Sequence, residues 1–342
     1  MFAYKFQSRQ GLASLQQHKD VPEPQLGGPQ QVKLRIKAVA LNYRDLMVAE
    51  GNYLSMVPTP VIPGSDAVAI VEEVGPGVDR FKVGDRVLTA FFPNWFDGPP
   101  TPANTRRTWG ADDDGVLAEY VVADQAALSL APAGLSDAEA ATLPCAGVTA
   151  WNALFHAGNL MPGSTVLALG TGGVSIWALQ LAKAAGMRTI ITSSSAEKLE
   201  RARSLGAAEV IHYGEIPEWA KEVRRLTAGR GADLVVEVGG AQTLGQSIMS
   251  TAMGGTVAII GGVSGFGTPS DVNPLMLIGA AARLSGIFVG SRAMLDNLSR
   301  FVEVNGVRPV VDQVFARDQA AEAFAHLQAG RHFGKVVVQV AD

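Results

Sequence analysis

Two patterns of apolar residues divide the chain. Up to about residue 92, short runs alternate apolar and polar positions. VKLRIKAVALN (Val32–Asn42) does so for much of its length. AVAIVEEVG (Ala67–Gly75) and DRVLTAFF (Asp85–Phe92) follow, with Gly and Pro between them. Alternation bounded by turn residues predicts strands with one buried face, and their spacing predicts a β-rich, barrel-like unit. From Ser164 the runs become continuous: STVLALG, RTIIT, EVIHY, ADLVVEVGG and GTVAIIGG. Between them lie helical patterns. In VSIWALQLAKAAG, the residues Val174, Trp177, Ala178, Leu181 and Ala185 share one face. SAEKLERARSLG, EIPEWAKEVRRLTAG and a segment through Ile248 supply further helices. Such β-α alternation predicts a parallel, doubly wound sheet. Right-handed crossovers gather its strand ends at one edge, where ligands bind.

The predicted fold class is therefore α/β, a doubly wound parallel sheet inserted into a β-barrel domain. Residues 1–130 form the barrel domain and 131–290 the sheet domain. The tail, with an amphipathic helix in DQAAEAFAHLQAG and a strand in KVVVQV, returns over 291–342 to complete the first domain. From about Phe92 to Gly115 the periodicity breaks into a segment rich in Pro, Gly, Asn and Asp. Its aromatic residues, Phe92, Trp95 and Trp109 among them, argue for an ordered excursion.

Composition narrows the partners. The 342 residues are 47 % hydrophobic and 18 % charged, with a net charge of −4. That allows a large core, and without a basic run it argues against nucleic acid or anionic membranes as partners. The start, MFAYKFQSRQ, lacks the pattern of a secretory signal, and no apolar run reaches bilayer length. The default expectation is a cytoplasmic protein acting on a small-molecule substrate. A single cysteine, Cys145, excludes an intrachain disulfide and a multi-cysteine zinc site.

The strongest chemical signal is VLALGTGGVSIWALQLAKAAG. A buried strand runs into Gly170, Thr171, Gly172, Gly173 and Val174, and a helix follows. Glycines let a pyrophosphate approach the backbone, and the helix N-terminus supplies N–H donors and partial positive charge. Ser175 stands where G-x-G-x-x-G has its third glycine. About 20 residues on, an NAD site wants Asp or Glu at the end of the second strand. Here Ser193 and Ser194 occupy that end, and Glu197 is explained by a capping box with Ser194. Ser193, Ser194 and Lys198, with Tyr213 from the next strand, are the candidate binders of a 2′-phosphate. The expected cofactor is NADP, as NADPH.

ALNYRDLMVAEGNY, VIPGSDAVAIVEEVGPGVDRFKVGDRV, DGVLAEYVV, LPCAGVTAWNAL, GTGGVSIWALQLAK and GRHFGKVVV together carry a family resemblance over essentially the whole chain. The sequence resembles the medium-chain dehydrogenase/reductases, which include zinc alcohol dehydrogenases and zeta-crystallin-like quinone oxidoreductases. The resemblance implies a GroES-like barrel domain with a Rossmann domain inserted, and a homodimer joined through the Rossmann sheet, with SGIFVG as edge strand. Zinc members draw three ligands from positions that match Asn42, Ser65 and Cys145 here. Only Cys145 is a ligand type, and one thiolate cannot hold a zinc site. The resemblance is thus to the zinc-independent branch, with no metal expected.

Without a Lewis acid, conjugated acceptors are the easier substrates. Hydride addition to an enone or quinone leaves charge that is already delocalised, which a few hydrogen bonds can hold. The resemblance implies two candidate catalytic residues: Asn42, as donor to a substrate oxygen, and Tyr53, as proton donor. It also implies that Arg44 and Asp45 hold their loop or that Arg44 reaches a cofactor phosphate, and Asp66 is expected in a structural ion pair. Thr149 is implied near the nicotinamide, and Phe333 and Lys335 closing over the cofactor. Gly261, in GTVAIIGG, and Phe288, in SGIFVG, complete the candidate cofactor contacts. Two other readings stay open. One is an alcohol dehydrogenase or aldehyde reductase without zinc. The other is an NADPH-binding sensor or crystallin-like protein with little turnover.

Overall fold

The computed structural model describes residues 1–53, 57–265, 267 and 272–341. They fold into two compact units, Met1–Val148 with Gly290–Asp342, and Thr149–Val289. The first unit opens with a hairpin, β1 (Ala3–Phe6) and β2 (Leu15–His18). It continues with β3 (Gln31–Ala40), α1 (Tyr43–Glu50), β4 (Asp66–Val74), β5 (Arg86–Thr89), α2 (Pro102–Thr105), β6 (Tyr120–Asp124), β7 (Leu128–Leu130) and α3 (Asp137–Ala140). A single π-turn, Leu143–Gly147, then leads into α4 (Val148–Trp151).

The second unit strings β8 (Thr165–Leu169), α5 (Gly173–Ala184), β9 (Arg188–Ser193), α6 (Ala196–Leu205), β10 (Glu209–His212), α7 (Trp219–Leu226), β11 (Ala232–Glu237), α8 (Leu244–Ser250), β12 (Thr251–Ile259), α9 (Pro274–Ala280) and β13 (Arg283–Gly286). The chain then re-enters the first unit through α10 (Arg292–Asn305), β14 (Val311–Phe315), α11 (Ala320–Gln328) and β15 (Lys335–Gln339). No helix among the described residues is long and apolar enough to cross a membrane.

The first unit's mixed sheet runs β14-β15-β3-β4-β5-β7, with β6 also paired to β3. β15 and β4 both lie antiparallel to β3. Val337 faces Ala40, and Ala40 faces Asp66. That register gathers the end of β3 and the starts of β4 and β15 at one corner. The alternating apolar face of these strands, with Leu34, Ile36, Val71 and Val336, forms the core together with Phe6 and Phe324.

Residues 131–148 belong to this first unit, so the division falls at Val148 rather than at residue 130. The reason is local: the Cys145 N–H donates to Asp66 Oδ2 at 3.0 Å, binding the π-turn to β4. The segment between β5 and β6 is ordered. Trp95 is fully buried, and the Arg292 and Ala293 N–H groups donate to its carbonyl and that of Phe96. Gly115 lies against the PGSD segment, where a Cβ would stand 2.3 Å from the Gly64 carbonyl oxygen.

The second unit is a six-stranded parallel sheet of order β10-β9-β8-β11-β12-β13. The order reverses between β8 and β11, and that switch point opens a crevice at the carboxyl ends of the strands. SGIFVG begins in the edge strand, which it enters with Ser285 and Gly286. The edge is β13, the Ile287 N–H extends its ladder by donating to the Ile259 carbonyl at 2.8 Å, and Phe288 lies beyond it.

Candidate functional site

The glycine turn of the second unit is built at that crevice. Gly170 follows β8 with φ +71°, and open space surrounds the position a Cβ would take. Its N–H donates to Thr192 Oγ1 at 3.2 Å, which ties the turn to β9. Gly172 is the extended N-cap of α5, and no side chain caps that helix. The first N–H groups of a helix lack intrahelical acceptors. Those of Gly173, Val174 and Ser175 therefore form an anion cradle, and Thr171 is buried beside them. Ser175, in the third-glycine position, is buried and donates its hydroxyl to the Leu169 carbonyl at 2.6 Å. It clamps helix to strand. These residues fit the pyrophosphate of a dinucleotide.

The end of β9 meets the neighbouring strand end. Ser193 pairs in register with His212 of β10, and the Tyr213 N–H donates to the Ser193 carbonyl. Ser193 is buried and its hydroxyl oxygen accepts from the Ser195 N–H, while Ser194 and Tyr213 are exposed. The capping box expected from Ser194 and Glu197 is displaced. Ser195 caps α6, its oxygen accepting from the Lys198 N–H at 3.3 Å. Glu197 thus falls at the second helical position, one short of a reciprocal bond. Thr149 is buried in α4, Gly261 follows β12, and Phe288, 39 % exposed, follows β13. All of these residues lie in the second unit.

Asn42, Tyr53, Phe333 and Lys335 lie in the first. Asn42 is the N-cap of α1, and its backbone N–H donates to the Asp45 carboxylate at 2.8 Å. Lys335, the first residue of β15, is buried. Its ammonium donates to the Leu41 carbonyl at 2.6 Å and to Asn42 Oδ1 at 2.5 Å. It points into this corner of the first unit, where the resemblance had it closing over the cofactor. Phe333 is also buried, its N–H donating to Asp312.

Asp66 is fully buried and held by hydrogen bonds rather than a direct ion pair. It accepts from the Ser65 hydroxyl and from the Cys145 N–H. Burial pushes its carboxyl above the usual range, opposed by the Lys335 ammonium and by the Ser65 and Asn42 side chains. Burial likewise raises Asp45, opposed first by Arg44. The Asn42 amide nitrogen is buried with no hydrogen bond of good geometry, though near enough to influence Asp66. Arg44 donates twice to the Trp109 carbonyl and stacks its guanidinium between Tyr53 and Phe91, 5.1 and 5.0 Å from their rings. It pins the loop at Trp109.

A catalytic metal does not fit this corner. The three positions that would supply ligands hold an amide, a hydroxyl and a thiol. The amide oxygen already accepts from an ammonium. Cys145 retains some exposure, yet the dense surroundings first, and Asp66 second, push its thiol far above the usual range. With an amide and a hydroxyl at the other two positions, the lone thiol of Cys145 cannot complete a site that needs three protein ligands. Among the described residues no group of three His, Cys, Asp or Glu can hold a metal ion.

The sequence reading missed Glu237. This last residue of β11 is fully buried and accepts from the Gly239 and Gly240 N–H groups and from the Thr243 and Ser247 hydroxyls. The available signal was an acid at a strand end, directly before V-G-G.

Two family models match the chain. Residues 28–133 match the alcohol dehydrogenase GroES-like domain, and 173–304 match the zinc-binding dehydrogenase family. A zinc-type alcohol dehydrogenase-like protein of Schizosaccharomyces pombe is 44 % identical, with 93 % of each chain covered. A structure from Sinorhizobium meliloti 1021, described as an alcohol dehydrogenase, superposes with a TM-score of 0.90. It is 40 % identical and covers 99 % of this chain and 98 % of its own. The crotonyl-CoA carboxylase/reductase AntE, solved in complex with NADP, has a TM-score of 0.86 and 26 % identity, over 99 % of this chain and 95 % of its own. With the Rossmann sheet, the glycine turn and the GroES-like sheet in place, the chain belongs to the medium-chain dehydrogenase/reductase superfamily and is an NAD(P)H-dependent oxidoreductase of the alcohol dehydrogenase type.

Proposed function

We propose that the protein is a zinc-independent, NADPH-dependent reductase of conjugated carbonyls or quinones. The observation that carries this reading is the content of the corner around Asn42. An amide, a hydroxyl and a single thiol stand where a metal would need ligands, and the cation that reaches the amide oxygen is the Lys335 ammonium. Bound NADPH supplies the hydride. The chain's own groups then need only hold a delocalised anion and deliver a proton. Asn42 suits the first task. Lys335 fixes Oδ1 as the acceptor end of the amide, which leaves Nδ2 as a buried donor. Tyr53, partly exposed beside Arg44, suits the second. The likeness to AntE supports both the cofactor and a conjugated acceptor.

NADPH is favoured over NADH by Ser193 and Ser194 at the end of β9, which stand where an NAD site carries a carboxylate. The working assembly is a homodimer. The open edge of β13 and the adjoining α9, an apolar helix with none of its residues buried, suit a second copy of this chain. Leu275 and Ile278 of that helix are 69 % and 72 % exposed. The reaction takes place in the cytoplasm.

Relatives described as alcohol dehydrogenases favour a second reading, reduction of a saturated carbonyl. One experiment separates the two. NADPH deuterated at C4 is supplied with an enone, and the product is examined by mass spectrometry and NMR. Deuterium at the β-carbon supports the proposal. Deuterium at the carbonyl carbon favours the alcohol dehydrogenase reading.

A further inference from the structure

We propose that Glu237 is a positioning residue for the nicotinamide half of the cofactor. The inference rests on the nucleotide-binding reading of the second unit and assigns a role that the glycine turn does not fill.

The argument begins with placement. A doubly wound sheet binds a dinucleotide across its switch point, one mononucleotide on each half. The glycine turn, Ser193 and Tyr213 lie on the half made by β8, β9 and β10. The other half is β11, β12 and β13, and its carboxyl edge is shaped by the loops after β11 and β12. Glu237 is the last residue of β11, and β11 is the direct neighbour of β8.

A buried carboxylate needs acceptor work for its oxygens. Here it comes from the loop after β11 and from the helix that follows. Oε1 accepts from the Gly239 N–H at 2.6 Å, the Gly240 N–H at 2.9 Å and the Thr243 hydroxyl at 2.7 Å. Oε2 accepts from the Ser247 hydroxyl on α8. Three of the four donors wrap residues 239–243 around the side chain, and the fourth, Ser247, ties it to α8. No cation pairs with it among the described residues, so shape rather than charge pairing is what the cluster sets.

The same loop is laced to the next one. The Ile260 N–H donates to the Glu237 carbonyl, and Val263 and Ser264 donate to the Val238 and Gly239 carbonyls. Gly240, at φ +94°, sits so close that a Cβ would stand 2.6 Å from the Gly265 carbonyl oxygen and 2.7 Å from the Gly262 Cα. One carboxylate thus holds residues 238–243, and through them residues 260–265, on the nicotinamide side of the switch point, Gly261 included.

The test measures equilibrium binding to the full-length protein. NADPH reports on both halves of the site, and 2′,5′-ADP on the adenine half alone. Glu237→Met keeps the length but leaves two N–H groups and the Ser247 hydroxyl without their acceptor, and leaves the Thr243 hydroxyl only its longer bond to the Gly240 carbonyl. It is expected to raise the NADPH Kd about tenfold while changing the 2′,5′-ADP Kd by no more than about twofold. Glu237→Gln is expected to stay near wild type. Its oxygen keeps the three loop donors, and the Ser247 hydroxyl can turn to accept from its amide. Thr243→Val removes one donor at constant volume and decides the matter if Glu237→Met does not fold. It should raise the NADPH Kd about threefold, again sparing 2′,5′-ADP. Unchanged NADPH binding in the folded variants overturns the proposal, and so does equal weakening of both ligands. If the wild-type protein binds neither ligand, the nucleotide reading itself fails and takes the proposal with it.

Discussion

The two units bury acidic groups in opposite ways. In the first, Asp45 and Asp66 are fully buried among Arg44, Lys335 and Asn42, drawn from segments hundreds of residues apart. In the second, Glu237 is equally buried, yet its four donors come from the ten residues that follow it. Opposite charge stabilises the first cluster and local hydrogen-bond donors the second. The first depends on the register of three strands, since only the pairing of Ala40 with Val337 and Asp66 brings its parts together. The second depends on one loop. Damage should therefore spread differently. Loss of one member of the first cluster leaves a buried charge unbalanced, whereas changes at the second cluster should act mainly on ligand binding.

The largest expected effect follows from that contrast. Lys335→Met removes the ammonium beside two buried carboxyls and should cost about 3–5 kcal/mol of stability, read from urea unfolding at pH 7. A loss below about 1 kcal/mol would mean that the cluster is balanced without it. In the second unit, Ser194→Asp places a carboxylate at the exposed end of β9. NADPH affinity should fall about tenfold, near 1.4 kcal/mol, with NADH little affected and the unfolding midpoint unchanged. Equal loss of both nucleotides would sever the serines from cofactor choice.

The smallest effect is a slope. Burial holds the Asp66 carboxyl above 3.8, so the folded state binds its proton more readily than the unfolded state does. Stability contributed by this group then declines as pH rises from about 3.8 through the folded pKa. Asp66→Asn cannot titrate, so its unfolding midpoint should fall less steeply across that window. Asp45, raised for the same reason, keeps a residual slope in the variant. A steeper decline in the variant would show that the direction is reversed.

The contrast also explains what was legible in the sequence. Gly170–Val174 could be read because a phosphate turn is a local arrangement: strand, glycines and helix are contiguous, and the structure places them so. The alternation in β3 and β4 showed which faces are buried. The corner at Asn42 was legible only through family positions. No periodicity in GRHFGKVVV shows that Lys335 turns inward to Asn42, because register and turn length decide which way the side chain at a strand's first residue points. The capping of α6 slipped by one residue for a related reason. Three consecutive serines offer equivalent caps, and the end of β9 at Ser193 selects Ser195. Glu237 went unread because an acid at a strand end looks like a solvated residue until the fold closes over it.

The central claim is hydride transfer to a conjugated acceptor without a metal. Its most direct test is steady-state NADPH and NADH oxidation by chelator-treated protein, with 1,4-benzoquinone, a linear enone and an aldehyde as acceptors. The account predicts turnover with quinone or enone, unchanged by the chelator and faster with NADPH. Turnover with the aldehyde alone, or only after zinc is returned, would contradict it.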